Sequence, residues 1–288
     1  MSGAGEAVTG PGGAAAPTPA GGPRPPSPAA VQRSTAAAYD EFAVRYSEFA
    51  RDALDALPMD RALLGAFTES VRSSPAAGPV VDAGCGPGWT TAYLHALGAD
   101  VLGVDLSPAM IGLARRHHPE LSFEVGSMDA LDLADGGSAG VLSWYSVIHL
   151  PPPLVPSALA EFRRVLADGG VLLLAFFESE GGPVTDFDHA VTRAYRWPID
   201  ELAALASDAG FTEVARLLRE PVEGERFRRG HLLMRAERPG SGSAGLSVRA
   251  APHRRGTVPT GAGKAQDQAG RAAGPLHEPE AGSGADAS

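Results

Sequence analysis

Val80-Val81-Asp82-Ala83-Gly84-Cys85-Gly86-Pro87-Gly88-Trp89 is the stretch on which the fold turns. A short apolar strand runs into a glycine-rich turn, and the turn opens a helix. Glycines in such a turn let a ligand approach the backbone, because a Cβ would collide with it. The helix N-terminus that follows offers free N–H groups. A dinucleotide fingerprint would read G-x-G-x-x-G. Gly84 and Gly86 fill its first two positions, but the third falls on Trp89, where close helix packing needs a small residue. The spacing here is G-x-G-x-G. Asp82, just before the first glycine, would repel a pyrophosphate but can hold an ammonium group directly or through water.

Outward from this turn, helix and strand alternate. Asp100–Asp105 reads as the next strand and ends on an acid about twenty residues past the first glycine, a position from which a carboxylate can take both hydroxyls of a ribose. Ser107 and Pro108 form an N-cap and first-turn pair for a helix to about His117. Strands are expected at 79–83, 121–125, 140–145 and 171–177, with helices at 89–97, 153–166 and 198–209. Two final strands, 211–218 and 227–236, are joined too closely for a crossover helix and are expected to pair antiparallel. Upstream, Phe42, Tyr46, Phe49, Ala53 and Leu57 mark one face of a helix over 34–57, and Asp60 is placed to cap a second helix carrying Leu63, Leu64, Phe67 and Val71. The expectation is an α/β domain: a doubly wound, seven-stranded, mostly parallel sheet with an antiparallel hairpin at one edge and helices on both faces.

Composition bounds this domain. The chain has 288 residues with 36 Gly and 25 Pro, concentrated at the ends. Residues 1–30 and 239–288 have almost nothing to bury and are expected to be disordered tails. The foldable part is 31–238, one domain by size. It carries 29 acidic side chains against 18 arginines, an acidic balance that disfavours a nucleic-acid partner. One cysteine, Cys85, excludes a disulfide framework and a multi-thiolate zinc site. No apolar run approaches a membrane span, and the N-terminus lacks the layout of a signal peptide. A cytoplasmic protein, monomer or homodimer, is expected.

One carboxylate near an amine, another near a ribose and no intact phosphate site are the parts needed for S-adenosyl-L-methionine. The residues resemble class I S-adenosylmethionine-dependent methyltransferases, particularly the small-molecule type 11/25 group, over about 39–237. Asp82 to Gly88 matches that family's first motif and Asp105 its ribose acid. Trp144 to Pro151 resembles its fourth-strand motif, Asp168-Gly169-Gly170 its fifth-strand entry, and Tyr39-Asp40 with Tyr46 the helix that lids the cofactor. The resemblance implies a Rossmann-like fold and cofactor contacts from Tyr39, Asp82, Gly84, Gly86, Gly88, Asp105, Leu106, Ser127, Met128, Trp144 and Tyr145. One departure stands out. Where family members often carry an acid for the adenine amine, this chain has Ser127, with Asp129 two residues later. Either can take the amine.

The implied chemistry is methyl transfer to a hydroxyl, or an amine, of a small metabolite by in-line displacement. His149, after the fourth strand, is the candidate base; the alternative is a structural histidine bonded to a loop carbonyl. Tyr39 is the lid candidate, and Tyr46 is expected to face the core in part. Cys85 is expected to be a small filler. The stretch 178–197 is expected to be a substrate loop over the site, with Asp186, Asp188, His189 and Arg193 among its polar groups; these make no convincing metal set, and none is assigned. Arg226, Arg228 and Arg229 are read as a solvated loop. Two rival readings are a nicotinamide-dependent oxidoreductase and a cofactor-binding protein without catalysis.

Overall fold

The computed structural model describes residues 27–237. The two expected tails lie outside the described residues, except that the first helix starts earlier than expected. Ser27 caps it by accepting from Ala30 N at 3.3 Å, and Pro28 occupies its first turn, where a missing N–H costs nothing. This helix, α1, spans Pro28–Ala50, so it does not extend to Leu57. Its inward face also differs from the expected stripe. Ala43 and Ser47 are buried, while Phe49 is exposed. Helix α2 spans Pro58–Arg72 and buries Leu64 and Phe67. Asp60 is not its cap: it lies inside the first turn, buried and paired with Arg219.

The alternating part follows as β1 (Val80–Ala83), α3 (Trp89–Ala96), β2 (Val101–Asp105), α4 (Pro108–His117), β3 (Ser122–Val125), β4 (Ser138–Trp144), α5 (Val155–Val165), β5 (Leu166–Glu178), β6 (Thr185–Phe187), β7 (Ala194–Trp197), α6 (Ile199–Asp208), β8 (Phe211–Arg219) and β9 (Arg229–Ala236). Strands β3-β2-β1-β4-β5 are parallel neighbours in that order. Strand β9 runs antiparallel to β5, and β8 antiparallel to β9. Crossovers of this kind put helices on both faces. Along β5 the side chains alternate. Leu172, Leu174 and Phe176 pack in one core with Leu159 and Phe162 of α5. Val171 and Leu173 pack in the other with Leu64 and Phe67 of α2. Each such side chain contributes roughly 1.5–3 kcal/mol by leaving water.

The sheet has nine strands among the described residues, not seven. The two extra strands lie in 178–197, expected to be a loop. They pair with each other through Thr185↔Arg196 and Phe187↔Ala194. Strand β7 also runs parallel to the end of β5, through Phe177↔Arg196 and Glu178↔Trp197. The reason is the length of β5. The register with β4 ends at Trp144↔Ala175, while β9 holds the opposite side as far as Phe177↔Arg229. The hairpin therefore takes up the hydrogen-bonding edge that β4 leaves open, and it stands over the C-terminal edge of the sheet.

Candidate active site

Three glycines of the turn after β1 all have positive φ: Gly84 at 85°, Gly86 at 54° and Gly88 at 87°. They do different work. A Cβ on Gly84 would overlap the Ser146 side chain, and one on Gly88 would meet Phe123 Cζ at 2.9 Å. A Cβ on Gly86 would find only Tyr46 Cε1, at 3.8 Å, so this glycine opens onto free space. Gly84 and Gly86 line the cavity at the sheet edge. Gly88 is not among the lining residues; it lets α3 close onto Phe123, which corrects its expected place beside the ligand.

Both acids line the cavity. Asp82 is fully buried. Its Oδ2 accepts from Thr91 Oγ1 at 2.7 Å, and its Oδ1 has no partner among the described residues. Burial pushes this carboxyl up to about 7, against the Thr91 bond and assisted by repulsion from Asp105. Asp105 accepts from Gly86 N at 2.8 Å and from Ser107 N at 2.9 Å. It thereby ties the glycine turn to the start of α4. Burial raises its carboxyl, and these two backbone donors oppose that.

The cavity has two lobes. The smaller is lined by Asp105, Leu106, Ser127, Met128 and His149, with Thr35 and Ala36 of α1 above. The larger, about 240 Å³, takes in Asp82, Trp89, Phe177, His189 and Arg229. Tyr39, Tyr46, Gly84, Gly86, Trp144 and Tyr145 line both lobes, so the junction is walled by aromatic rings. Tyr145 follows the end of β4 with φ 53°, a left-handed conformation costing on the order of 1 kcal/mol for a non-glycine residue. Its N–H still bonds Ala175 O at 3.0 Å, and its ring lines the cavity while its hydroxyl lies 3.3 Å from His231 Nε2.

Helix α1 covers the site and is tied down by side chains from several elements. Asp40 Oδ1 accepts from Ser107 Oγ at 2.5 Å and from Ala109 N at 3.0 Å, at the start of α4. Trp89 Nε1 donates to Ser47 O at 3.1 Å, and the Trp89 ring packs 4.7 Å from that of His117. The bulky residue that breaks the dinucleotide pattern is thus the anchor for the lid. Gln32 Nε2 donates to Ser127 Oγ at 3.1 Å and to both oxygens of Asp129 at 2.8 and 2.9 Å. Ser127 also bonds Asp129. Of this pair, Ser127 lines the smaller lobe and Asp129 lines neither lobe.

His149 joins the lid to the hairpin. Its Nδ1 faces Arg193 O at 3.1 Å, which assigns the Nδ1–H tautomer. Its Nε2 then accepts from the Tyr39 hydroxyl at 2.7 Å. Burial lowers the imidazole to about 4 and raises the Tyr39 phenol well above its usual range. Of the polar groups on 178–197, only His189 lines the cavity. It packs 5.2 Å from His149, and burial together with His149, Arg229 and Arg226 lowers it to about 3. Trp197 is buried in the core. Among the described residues no group of three or more His, Cys, Asp or Glu is placed to hold a metal ion.

Several lining residues escape sequence reasoning: Asp60, Glu225 and Arg229 line the larger lobe. Arg229 is not in a solvated loop: it is 8% exposed, and its guanidinium stacks 4.3 Å from the Phe177 ring centre. The available signal was positional, since Arg229 is the first residue of β9 and lies opposite the end of β5. Cys85 is buried against Ile111, Ala114 and Phe123, as a filler.

Comparison with known proteins places this geometry. Residues 80–170 match the family described as methyltransferase domain. Among curated relatives, demethylmenaquinone methyltransferase of Beutenbergia cavernae is 31% identical over 141 residues, 49% of this chain and 57% of that protein. Magnesium-protoporphyrin O-methyltransferase of Rhodobacter capsulatus is 44% identical over 90 residues, 30% of this chain and 39% of that protein. The chain spans about half the length of the curated relatives it matches. Among solved structures, the 1,6-didemethyltoxoflavin-N1-methyltransferase of Burkholderia thailandensis, with bound 1,6-didemethyltoxoflavin and S-adenosylhomocysteine, is 26% identical. The match covers 74% of this chain and 93% of that one, with a TM-score of 0.57. In its sheet order and glycine turn the chain is similar to class I S-adenosylmethionine-dependent methyltransferases of the type 11/25 group.

The residues present fit the cofactor of that class. The unpartnered oxygen of Asp82 suits an ammonium group, Asp105 retains lone pairs for ribose hydroxyls, and Gly86 leaves the turn open beside them.

Proposed function

We propose that this protein transfers a methyl group from S-adenosylmethionine to a hydroxyl, or an amine, of a small molecule held in the larger lobe. The observation that carries the reading is the single cavity faced by Asp82 and Asp105, with an aromatic junction between its lobes. Bound S-adenosylmethionine supplies an electrophilic methyl on a sulfonium; everything else falls to the chain. Asp82 binds the amino group of the cofactor. Asp105 and Leu106 hold its ribose, Ser127 and Met128 border its adenine, and Trp144 and Tyr145 wall the junction. The lid of α1 keeps water from this junction, where a cation loses its charge as the bond breaks.

The geometry around His149 supports a positioning role over a basic one. Its one lone pair is taken by the Tyr39 hydroxyl, and an imidazole lowered to about 4 is a weak proton acceptor at neutral pH. His149 instead fixes Tyr39 against the cavity. The curated relatives are named for quinone, porphyrin and malonyl-[acyl-carrier protein] substrates, and the similar solved structure for N1-methylation. The aromatic rings lining the larger lobe, rather than these varied names, support a ring-shaped acceptor. The test is release of S-adenosylhomocysteine by the full chain with S-adenosylmethionine and a panel of phenols, hydroxyquinones and ring amines. No release with any of them, together with no binding of S-adenosylhomocysteine, would count against the proposal.

A further inference from the structure

Four charged side chains meet on one wall of the larger lobe. Asp60 comes from α2, Arg219 from the end of β8, Glu225 from the loop after it and Arg229 from the start of β9. Arg219 uses all three of its nitrogens. Its Nε donates to Asp60 Oδ1 at 2.9 Å, Nη1 to Glu225 Oε2 at 2.7 Å and Nη2 to Glu225 Oε1 at 2.9 Å. Glu225 is also satisfied, accepting in addition from Val222 N at 3.0 Å and Arg229 Nε at 3.3 Å.

Three polar atoms are left over: Asp60 Oδ2 and both Nη of Arg229. None has a hydrogen-bond partner among the described residues. Their residues are 1% and 8% exposed, and both line the larger lobe. The two groups form no ion pair with each other within 4 Å. Buried groups without partners cost free energy that a ligand recovers by bonding them. The guanidinium of Arg229 stacks on Phe177 at 4.3 Å and on Tyr145 at 5.3 Å, so it is held by rings rather than free to swing out. The wall therefore presents one acceptor and a pair of donors, and its two acids and two arginines cancel in charge.

We infer that the acceptor is an uncharged planar ring system whose edge carries a carbonyl oxygen beside an N–H or O–H. The carbonyl accepts from Arg229, and the N–H or O–H donates to Asp60. A carboxylate would satisfy Arg229 but place a third negative charge beside Asp60 and Glu225. A cation would satisfy Asp60 and face Arg229. The neighbouring rings of Tyr145, Phe177 and Trp144 favour a flat ligand.

This inference rests on the methyltransferase reading above, and the experiment separates the two. The full chain, saturated with S-adenosylhomocysteine, is titrated calorimetrically with 2-naphthamide and with 2-naphthoate. The two share ring and size and differ in the amide against the carboxylate. The wild type is expected to bind the amide about tenfold more tightly or better, roughly 1.4 kcal/mol. Asp60→Asn is expected to bring that ratio toward one by relieving the carboxylate. Arg229→Gln is expected to weaken the amide about tenfold. Both variants keep the wild-type affinity for S-adenosylhomocysteine. Equal or tighter binding of the naphthoate by the wild type overturns the inference, as does no binding of the amide; neither outcome depends on a variant folding. Weakened S-adenosylhomocysteine binding in either variant also overturns it, because the pair would then serve the cofactor. A wild type that fails to bind S-adenosylhomocysteine overturns the methyltransferase reading and this one with it. Cofactor binding without amide preference overturns this one alone.

Discussion

The proposed contact of Asp82 with the cofactor's amino group makes affinity dependent on pH. Its carboxyl sits at about 7 in the free protein because it is fully buried with one oxygen unpartnered. An ammonium group placed against it favours the ionised form, so binding draws on the ionised fraction. With a titration point near 7, that fraction is roughly one tenth at pH 6 and nine tenths at pH 8. Affinity for S-adenosylhomocysteine should therefore rise about tenfold across this window, about 1.4 kcal/mol. Asp105 also faces the cavity with a raised carboxyl, so its contribution has to be separated. 5′-Methylthioadenosine, which lacks the amino and carboxylate groups, serves as the control: it reports Asp105 and not Asp82. The measurement is calorimetric titration at pH 6, 7 and 8 at constant ionic strength. Asp82→Asn should flatten the profile for S-adenosylhomocysteine. The same variant tests stability with the opposite sign. A carboxyl raised from 3.8 to about 7 on folding costs stability as pH rises through that range, up to about 4 kcal/mol once it is ionised. At pH 8 the asparagine variant should melt higher than the wild type while binding the cofactor less well. An affinity that stays flat from pH 6 to 8, or that keeps its slope in the variant, refutes the reasoning.

The glycine turn predicts two different failures. Gly84→Ala puts a Cβ into Ser146 and should destabilise the fold by several kcal/mol, read as a large drop in Tm. Gly86→Ala carries only the left-handed backbone strain, about 1 kcal/mol, so the chain should fold and lose affinity for S-adenosylhomocysteine. Equal melting temperatures for the two variants would refute this division. For His149, substitution by Gln should lower kcat/KM about tenfold or less and leave the pH profile unshifted, with Tyr39→Phe giving a similar loss. A fall of a thousandfold or more with intact cofactor binding would restore the basic role. In the smaller lobe, Ser127→Ala should weaken S-adenosylhomocysteine about fivefold. Asp129→Ala should have the smaller effect, since it reaches the lobe only through Ser127 and Gln32; the reverse order would make Asp129 the adenine contact.

The parts of the site that could be read from the chain are those whose signal is local. A glycine needed for a positive φ, an acid at a strand end and a Ser-Pro helix start each announce themselves within a few residues. Thus Asp82, Gly84, Gly86 and Asp105 line the cavity, and Ser107 caps α4. Gly88 shows the limit of the same logic. Its positive φ was legible, but whether the missing Cβ makes room for a ligand or for Phe123 depends on α4 and β3, which lie elsewhere in sequence.

What could not be read depends on pairing between distant segments. Asp60 looks like a helix cap because an acid just before a helical stripe suits that position. Only Arg219, on the far side of the sheet in sequence, turns it into a buried ion pair and a wall of the cavity. Arg229 sits in a run of charges that resembles a solvated loop, and it is the register Phe177↔Arg229 that draws it inward. The hairpin of β6 and β7 has too short a hydrophobic pattern to announce strands. It forms because β5 outruns β4 and leaves an unpaired edge, which a protein must cover. Its carbonyl at Arg193 then orients His149, and His149 orients Tyr39. The residues proposed to bind the cofactor are thus written locally, while the wall proposed to read the acceptor is assembled from α2, β8 and β9 by strand register. A relative could change acceptor by altering that wall without touching the glycine turn.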